Sequence, residues 1–315
     1  MNEMFDIIGD VHGHAEKLED LLAEMGYSER EGSYRHPEGR RAVFLGDLID
    51  RGPNIRRVLQ IARSMAETEN AVVIMGNHEL NALCFHTETR DQPGLHLRPH
   101  TSKNVTQHKE TLEQLYHPGE MKYWLDWFRT LPPWLELEGF RTVHACWDPR
   151  SIEALNGALS RHKSISEEFL HEAMSTGERN QPNLHQHLEI SLKGKEAELP
   201  EGVFFIDKEG TRRSEIRTRW YLPAESQTYS TYALQTDPLE CHVPIERKVA
   251  EMAWPYPNDA RPVFVGHYWL SGERPLALAH NVACLDYSVA KGGFLCAYRW
   301  DGEKTLDNSK FFWCR

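Results

Sequence analysis

The chain has 315 residues, 40% of them hydrophobic and 26% charged, with a formal net charge of −11. That length accommodates one large domain or a domain with a sizeable insertion, and the acidic balance excludes a dedicated binder of long nucleic-acid duplex, which needs a basic footprint. No apolar run approaches the roughly 18 residues of a membrane span, and six scattered cysteines without a CxxC pair fit reduced thiols in the cytoplasm.

The opening Met1-Asn2-Glu3-Met4-Phe5-Asp6 is acidic, is read as no secretory signal, and leads into a first strand over residues 4–8. That strand ends in Gly9-Asp10-Val11-His12-Gly13. Leu18, Leu21, Leu22 and Met25 recur at helical spacing, and residues 28–41 read as a polar hairpin or loop. A second strand, 42–45, runs into Gly46-Asp47-Leu48-Ile49-Asp50-Arg51-Gly52. Ile55, Val58, Leu59, Ala62 and Met65 then predict a helix with Pro53 near its first turn. A third strand, 71–75, gives Gly76-Asn77-His78-Glu79. Residues 85–120 are rich in His, Thr and Pro, before an aromatic helix over 121–130. The fourth strand, 141–143, stops at His144-Ala145, and the fifth, 262–265, at Gly266-His267. Between them, residues 148–258 carry amphipathic helices near 151–174 and 183–193 and a strand-turn-strand signal joining 203–206 to 215–217. This stretch is expected to be an inserted cap, leaving 1–147 and 259–315 as the main domain. Alternating strands and helices predict an α/β fold.

In an open α/β sheet the carboxyl ends of the strands form the ligand crevice. Five separate segments therefore bring Asp10, His12, Asp47, Asn77, His144 and His267 to one edge, beside glycines that permit sharp turns. A lone Gly-Asp is ordinarily a turn, and a lone buried histidine is ordinarily hydrogen-bonded core. Five such strand ends in one chain point instead to a metal centre. Oxygen donors mixed with imidazoles suit manganese, iron or zinc better than calcium. With one carboxylate shared, the set would hold two divalent ions and a water activated for in-line attack on phosphorus.

Together these motifs resemble the calcineurin-like metallophosphoesterases, and Asp50-Arg51-Gly52 resembles their phosphoprotein-phosphatase branch. That branch holds Ser/Thr protein phosphatases, symmetrical diadenosine tetraphosphatases and the phosphatase module of bacterial RNA-repair polynucleotide kinase-phosphatases. The resemblance covers residues 4–84, 121–147 and 262–300. It implies a metallophosphoesterase β-sandwich flanked by helices, with the cap inserted. It also implies two divalent ions, manganese before iron or zinc: Asp10, His12 and Asp47 at the first, and Asp47 (as the bridge), Asn77, His144 and His267 at the second. His78 would be the general acid, oriented by Asp50. Arg51 would clamp phosphoryl oxygens, with Asn77 also donating to one, and Glu79 would brace the loop. Leu285-Asp286-Tyr287-Ser288-Val289-Ala290-Lys291-Gly292-Gly293 resembles the branch's C-terminal strand-loop-strand. Asp286 is then expected behind the ligands or on the substrate side, with a turn aspartate as the alternative.

Some positions depart from the family. Ala145-Cys146-Trp147 replaces the usual Ala-Gly after the fourth strand, and the two insertions have no counterpart in the protein phosphatases. His86, His96, His100, His108 and His117 are expected to be solvated or substrate-side rather than an extra metal site. Arg217 and Arg219, beside Trp220, are either a second phosphate clamp or a charged strand edge. Trp147, Trp220, Tyr221, Tyr268 and Trp269 either stack on a base or pack. The run Gly157–Ser164 lacks the second glycine of a phosphate loop and predicts a helix. The function expected is hydrolysis of a phosphomonoester or phosphoanhydride, by attack of a metal-bridging hydroxide. A small or nucleotide substrate is favoured, partly because Gly266-His267-Tyr268-Trp269 looks closer to bacterial nucleotide-directed relatives than to eukaryotic protein phosphatases. A Ser/Thr phosphoprotein phosphatase and a non-catalytic binding module on the same fold are the alternatives.

Overall fold

The computed structural model describes residues 4–175, 183–206, 210–234 and 239–315. Strand β1 (Phe5–Ile8) and helix α1 (Ala15–Glu24) precede a hairpin of β2 (Ser28–Arg30) and β3 (Ser33–Arg35), then β4 (Arg41–Phe44), α2 (Ile55–Glu67) and β5 (Ala71–Val73). Helices α3 (Asn77–Phe85), α4 (Ser102–Gln114) and α5 (Pro118–Phe128) lead to β6 (Trp134–Glu136) and β7 (Arg141–Val143). Next come α6 (Pro149–His162), α7 (Glu167–Met174) and α8 (Leu184–Lys193). They are followed by β8 (Glu196–Glu198), β9 (Phe205–Ile206), β10 (Arg212–Arg213), β11 (Glu215–Arg217), α9 (Tyr229–Tyr232) and α10 (Arg247–Met252). The last strands are β12 (Val263–Val265), β13 (Val282–Cys284), β14 (Asp286–Tyr287), β15 (Phe294–Trp300) and β16 (Phe311–Cys314).

Two sheets face each other. One has the order β14-β15-β1-β4-β5 with β16 on β15, and the other β13-β12-β7-β6. The period-2 alternation of the strands builds the layers. Phe5, Ile7 and Val43 enter the core between the sheets with Val143, Phe264 and Val265. Ile8, Ala42 and Phe44 point outward, under Leu18 and Leu22 of α1 and Val58, Leu59 and Ala62 of α2. Edge-on aromatic contacts, Phe5 to Phe140 at 5.2 Å and Phe140 to Phe264 at 5.8 Å, tie the sheets together. β1, β4 and β5 are parallel, as are β7, β12 and β13. Parallel pairing is what sets their carboxyl ends, and the motifs that follow, along one side. This is the expected α/β sandwich flanked by helices. Among the described residues no helix is long and apolar enough to cross a membrane.

The region expected as a cap divides between two cores. Leu155, Ala158, Phe169, Leu188 and Leu192 of α6–α8 share a core with Trp124 and Phe128 of α5. Ala197, Leu199, Phe205, Ile216, Tyr229 and Val249 form a separate small cluster. The strand pairing there also differs from the expectation. β9 pairs with β10, and β11 pairs with β8, where Ile216 lies opposite Ala197 and both are buried. Residues 207–209 of the expected turn lie outside the described residues.

Asp148 starts this region as the N-cap of α6. Its side chain accepts from the Ser151 N–H at 3.0 Å, and Lys195 Nζ lies 2.5 Å from it in an ion pair. Burial opposes ionisation, but Lys195 and the cap bond hold the carboxyl down at about 2. Asp148→Ala is expected to lower stability by roughly 2–3 kcal/mol in urea unfolding at neutral pH. A depressed carboxyl stabilises above its ordinary pKa, so this contribution is present above about pH 4 and fades as pH falls toward 2.

Candidate metal centre

The loops after β1, β4 and β12 are strained where they carry the motifs. His12, Asp47, Asp50, Arg51, His267 and Trp269 all have φ between 44° and 71°, a region that costs a non-glycine residue about 1–3 kcal/mol. Such concentration at one place marks a functional site. The adjoining glycines are dictated by contact. A Cβ on Gly266 would lie 2.0 Å from Asp10 Oδ1, and one on Gly76 2.2 Å from Asp47 Oδ1.

All six residues singled out as ligands are buried and converge. Asp47 is central. Its Oδ2 lies 3.6 Å from His12 Nε2, 3.8 Å from His78 Nε2 and 3.4 Å from His144 Nε2. Its Oδ1 accepts from the His78 N–H at 2.9 Å. Asn77 Oδ1 accepts from His267 Nδ1–H at 2.7 Å and lies 3.1 Å from His144 Nε2. His12 and His144 each donate Nδ1–H to a backbone carbonyl, of Ile49 at 2.9 Å and Leu45 at 2.7 Å, which fixes the tautomer with Nε2 facing inward. Asp10 Oδ2 accepts from the His267 N–H at 3.0 Å.

Several observations fit this cluster to cations. Asp10 Oδ1, His12 Nε2 and His267 Nε2 are buried without hydrogen-bond partners, an expensive condition for polar atoms outside a binding site. Among the described residues, two sets of potential ligand atoms lie within 4.8 Å of one another: His12, Asp47 and His78, and Asp10, Asp47 and His144. Asp47 belongs to both, as a shared ligand should, although Asp10 groups here with His144 rather than with His12. Charge points the same way. Burial, with Asp286 and Asp47 nearby, pushes Asp10 well above the usual carboxylate range. Burial also pulls His12 down to about 3 and His267 well below its ordinary value, leaving both rings neutral and able to ligate. His144 goes the other way: burial opposes protonation, yet Asp47 and Asp10 carry it up to about 10. Carboxylates that draw a proton onto a buried imidazole would equally draw a divalent ion.

Beside this cluster, His78 Nδ1–H donates to Asp50 Oδ2 at 2.5 Å. Burial disfavours the charged ring, but Asp47 and Asp50 together raise the His78 pKa. The other oxygen of Asp50 is held by two residues of α4: His108 Nδ1–H at 2.7 Å and Thr111 Oγ1–H at 2.5 Å. Thr111 Oγ1 also accepts from the Asp50 N–H at 3.0 Å. Sequence reasoning missed both, and the expectation of a solvated or substrate-side histidine is wrong for His108, which is buried because it bonds Asp50. His100 stacks on Phe85 and on His96, and exposed His117 caps α5. His108→Ala is expected to slow turnover about tenfold to a hundredfold by releasing Asp50 and hence the His78 ring. The loss should be larger for alkyl than for aryl phosphates, a pattern that mere loosening of the fold would not give.

Glu79 does what the sequence implied. Its carboxylate accepts from the Asp47, Leu48 and Gly76 N–H groups at 2.9–3.0 Å. Asp286 likewise spends both oxygens on backbone, the Trp269 N–H at 2.7 Å and the Ser288 N–H at 2.9 Å, which fixes the loop after His267. Arg51 lies over Trp269, 4.1 Å from the ring centroid, and among the described residues has no carboxylate within ion-pairing distance.

A cleft of about 1410 Å³ opens on Asp47, Asn77, His78, Arg51 and His267. Arg217 lines it, while Arg219 does not and donates Nε–H to the Ala233 carbonyl at 3.1 Å. The aromatic set resolves as packing. Trp147, Trp220, Tyr221 and Tyr268 are at most 3% exposed and belong to the core between the sheets. Tyr268 and Trp269 both border the cleft, and of the five only Trp269 has part of its surface exposed.

A family profile described as calcineurin-like phosphoesterase matches residues 4–205, more than half of the chain. The chain is 46% identical over 74 residues to the asymmetrical bis(5'-nucleosyl)-tetraphosphatase PrpE of Halalkalibacterium halodurans, covering 24% of this chain and 30% of that protein. To the protein of the same name in Oceanobacillus iheyensis it is 45% identical over 73 residues, 23% and 29% of the two chains. The chain thus spans less than a third of the length of these curated relatives. The cold-active protein-tyrosine phosphatase of a psychrophilic Shewanella superposes with a TM-score of 0.49 at 18% identity, over 95% of this chain and 76% of that one. A protein serine/threonine phosphatase from Saccharomyces cerevisiae superposes with a TM-score of 0.46 at 12% identity, over 99% and 78%. With its motifs gathered at one sandwich edge, the chain belongs to the calcineurin-like phosphoesterase family.

Proposed function

We propose that the chain hydrolyses a phosphomonoester or phosphoanhydride at this centre, with a small or nucleotide substrate preferred. The observation that carries the reading is the convergence of buried ligand atoms around Asp47 with His78 and Arg51 on the same cleft. Asp10, His12, Asp47, Asn77, His144 and His267 would hold two divalent ions, Asp47 shared between them, and the oxygen–imidazole donor set suits manganese ahead of iron or zinc. Bound ions of this kind neutralise phosphoryl oxygens and lower the pKa of water.

The protein's own groups do the rest. His78, although its Nε2 lies near Asp47, is assigned to proton transfer rather than to the ligands: its Nδ1–H is held by Asp50, and Asp47 and Asp50 raise its pKa against the effect of burial. Nε2, which faces Asp47, delivers a proton to the leaving oxygen, while Asp50 holds the ring in place. The planar fork of Arg51, braced on Trp269, grips phosphoryl oxygens from the cleft side. Asp286 and Glu79 act on no substrate atom and hold the loops that carry His267 and Asp47.

The names of the similar proteins support a nucleotide, and six unpaired cysteines, five of them buried, support a cytoplasmic setting. The test is hydrolysis of p-nitrophenyl phosphate, diadenosine tetraphosphate and a phosphoserine peptide in parallel with manganese. Turnover of the first two is expected. Faster turnover of the peptide would make the protein a phosphoprotein phosphatase, and turnover of none would leave a binding module.

A further inference from the structure

We propose that the cleft selects its substrate by a phosphate chain rather than by a nucleobase, with Lys193 and Arg217 holding a phosphoryl group next to the one that reacts. The proposal deepens the phosphoesterase reading and rests on it.

The first observation is charge. The chain as a whole carries 47 acidic side chains against 36 Lys and Arg. The residues lining the cleft reverse that balance, with nine Lys and Arg against four Asp and Glu. A positive wall in an acidic protein focuses anions into the cleft. The volume matters as well: about 1410 Å³ is more than a single phosphate needs and exceeds the roughly 300–1,000 Å³ of ordinary small-ligand pockets.

The second observation is where the half-buried cations come from. Lys193 ends α8 and Arg217 ends β11, so two separate elements bring positive charge to the His267 side of the centre. Gly194, the neighbour of Lys193, packs directly against Tyr268, whose ring lies 5.5 Å from that of His267. Among the described residues Arg217 has no carboxylate within ion-pairing distance, with Glu196 opposite it on β8, and Lys193 pairs with Glu189 at 2.6 Å. Arg98, which also lines the cleft, is held by two neutral amides, Asn81 and Gln107, each at 2.6 Å. Amides orient that guanidinium without neutralising it, so it stays available to an anion.

The third observation separates chain from base. Phe205, Tyr268, Tyr287 and Phe294 line the cleft but are at most 8% exposed. Trp269 is the remaining lining aromatic, and its ring already carries Arg51 at 4.1 Å and Lys291 at 3.9 Å. Base recognition by stacking needs an open aromatic face. What the cleft offers instead is a lining rich in lysine and arginine.

Titration calorimetry on the metal-free chain with orthophosphate, tripolyphosphate and adenosine triphosphate tests this. Tripolyphosphate and adenosine triphosphate are expected to bind within about threefold of each other, and both at least about tenfold tighter than orthophosphate. Arg217→Ala and Lys193→Ala should each weaken tripolyphosphate by about tenfold at an unchanged melting temperature. Orthophosphate binding as tightly as tripolyphosphate would overturn the second subsite. Adenosine triphosphate binding more than about tenfold tighter than tripolyphosphate would overturn selection by the chain. The ranking on the parent protein carries the test even if a variant fails to fold. Binding is read without metal, so a loaded enzyme inert toward p-nitrophenyl phosphate would defeat the phosphoesterase reading separately.

Discussion

Asp47→Asn is expected to strip the protein of metal and of activity together. The substitution keeps the size of the side chain and an oxygen able to accept the His78 N–H bond seen at 2.9 Å, so the loop should survive. It removes the negative charge that sits 3.4–3.8 Å from three imidazoles and belongs to both ligand groups. Metal content measured by plasma emission should fall from about two ions per chain to below one. Turnover of p-nitrophenyl phosphate should drop by more than about a thousandfold, some 4 kcal/mol of barrier. A variant that retained both ions and lost only rate would show that Asp47 is not the shared ligand.

His78→Ala should behave differently. Its ring is tied to Asp50, and it is proposed to give a proton rather than to hold an ion. The variant is expected to keep its metal while losing about 10²–10⁴-fold in turnover of an alkyl phosphate, whose leaving oxygen needs that proton. Nitrophenolate leaves unaided, so p-nitrophenyl phosphate should lose far less. Equal losses on the two substrates would contradict the general-acid role.

Much of this site was legible because its residues follow strands. An apolar β-branched run that stops and then gives Asp, Asn or His, in four of five cases after a glycine, is a local signal, and five of them name the edge without any knowledge of packing. The spacing of Ile55, Val58, Leu59, Ala62 and Met65 gave α2 for the same reason, since all five are buried on one face. α4 gave no such signal: its buried residues are His108 and Thr111, so its inward face is polar and hydrophobic periodicity cannot find it. The only trace is a histidine and a threonine three apart, the spacing that puts both on one side of a helix. α3 was passed over for the opposite reason, being buried almost all round rather than amphipathic. Asp6 sits in β1 at 0% exposure because Arg40 and Arg299 reach it at 3.1 and 3.0 Å, partners remote in sequence. Whether an aromatic faces a cleft or a core is likewise a tertiary fact, which is why the five candidate stacking residues were ambiguous until their burial was known.

The central claim is that the buried donors around Asp47 form a two-ion centre that hydrolyses phosphate esters. It is tested most directly by stripping the protein with chelator and titrating manganese back while following bound metal and p-nitrophenyl phosphate hydrolysis together. Activity is expected to be absent in the stripped protein and to rise in step with occupancy, reaching its plateau at about two ions per chain. Full activity in the stripped protein, or two bound ions with no hydrolysis by manganese, iron or zinc, would contradict it.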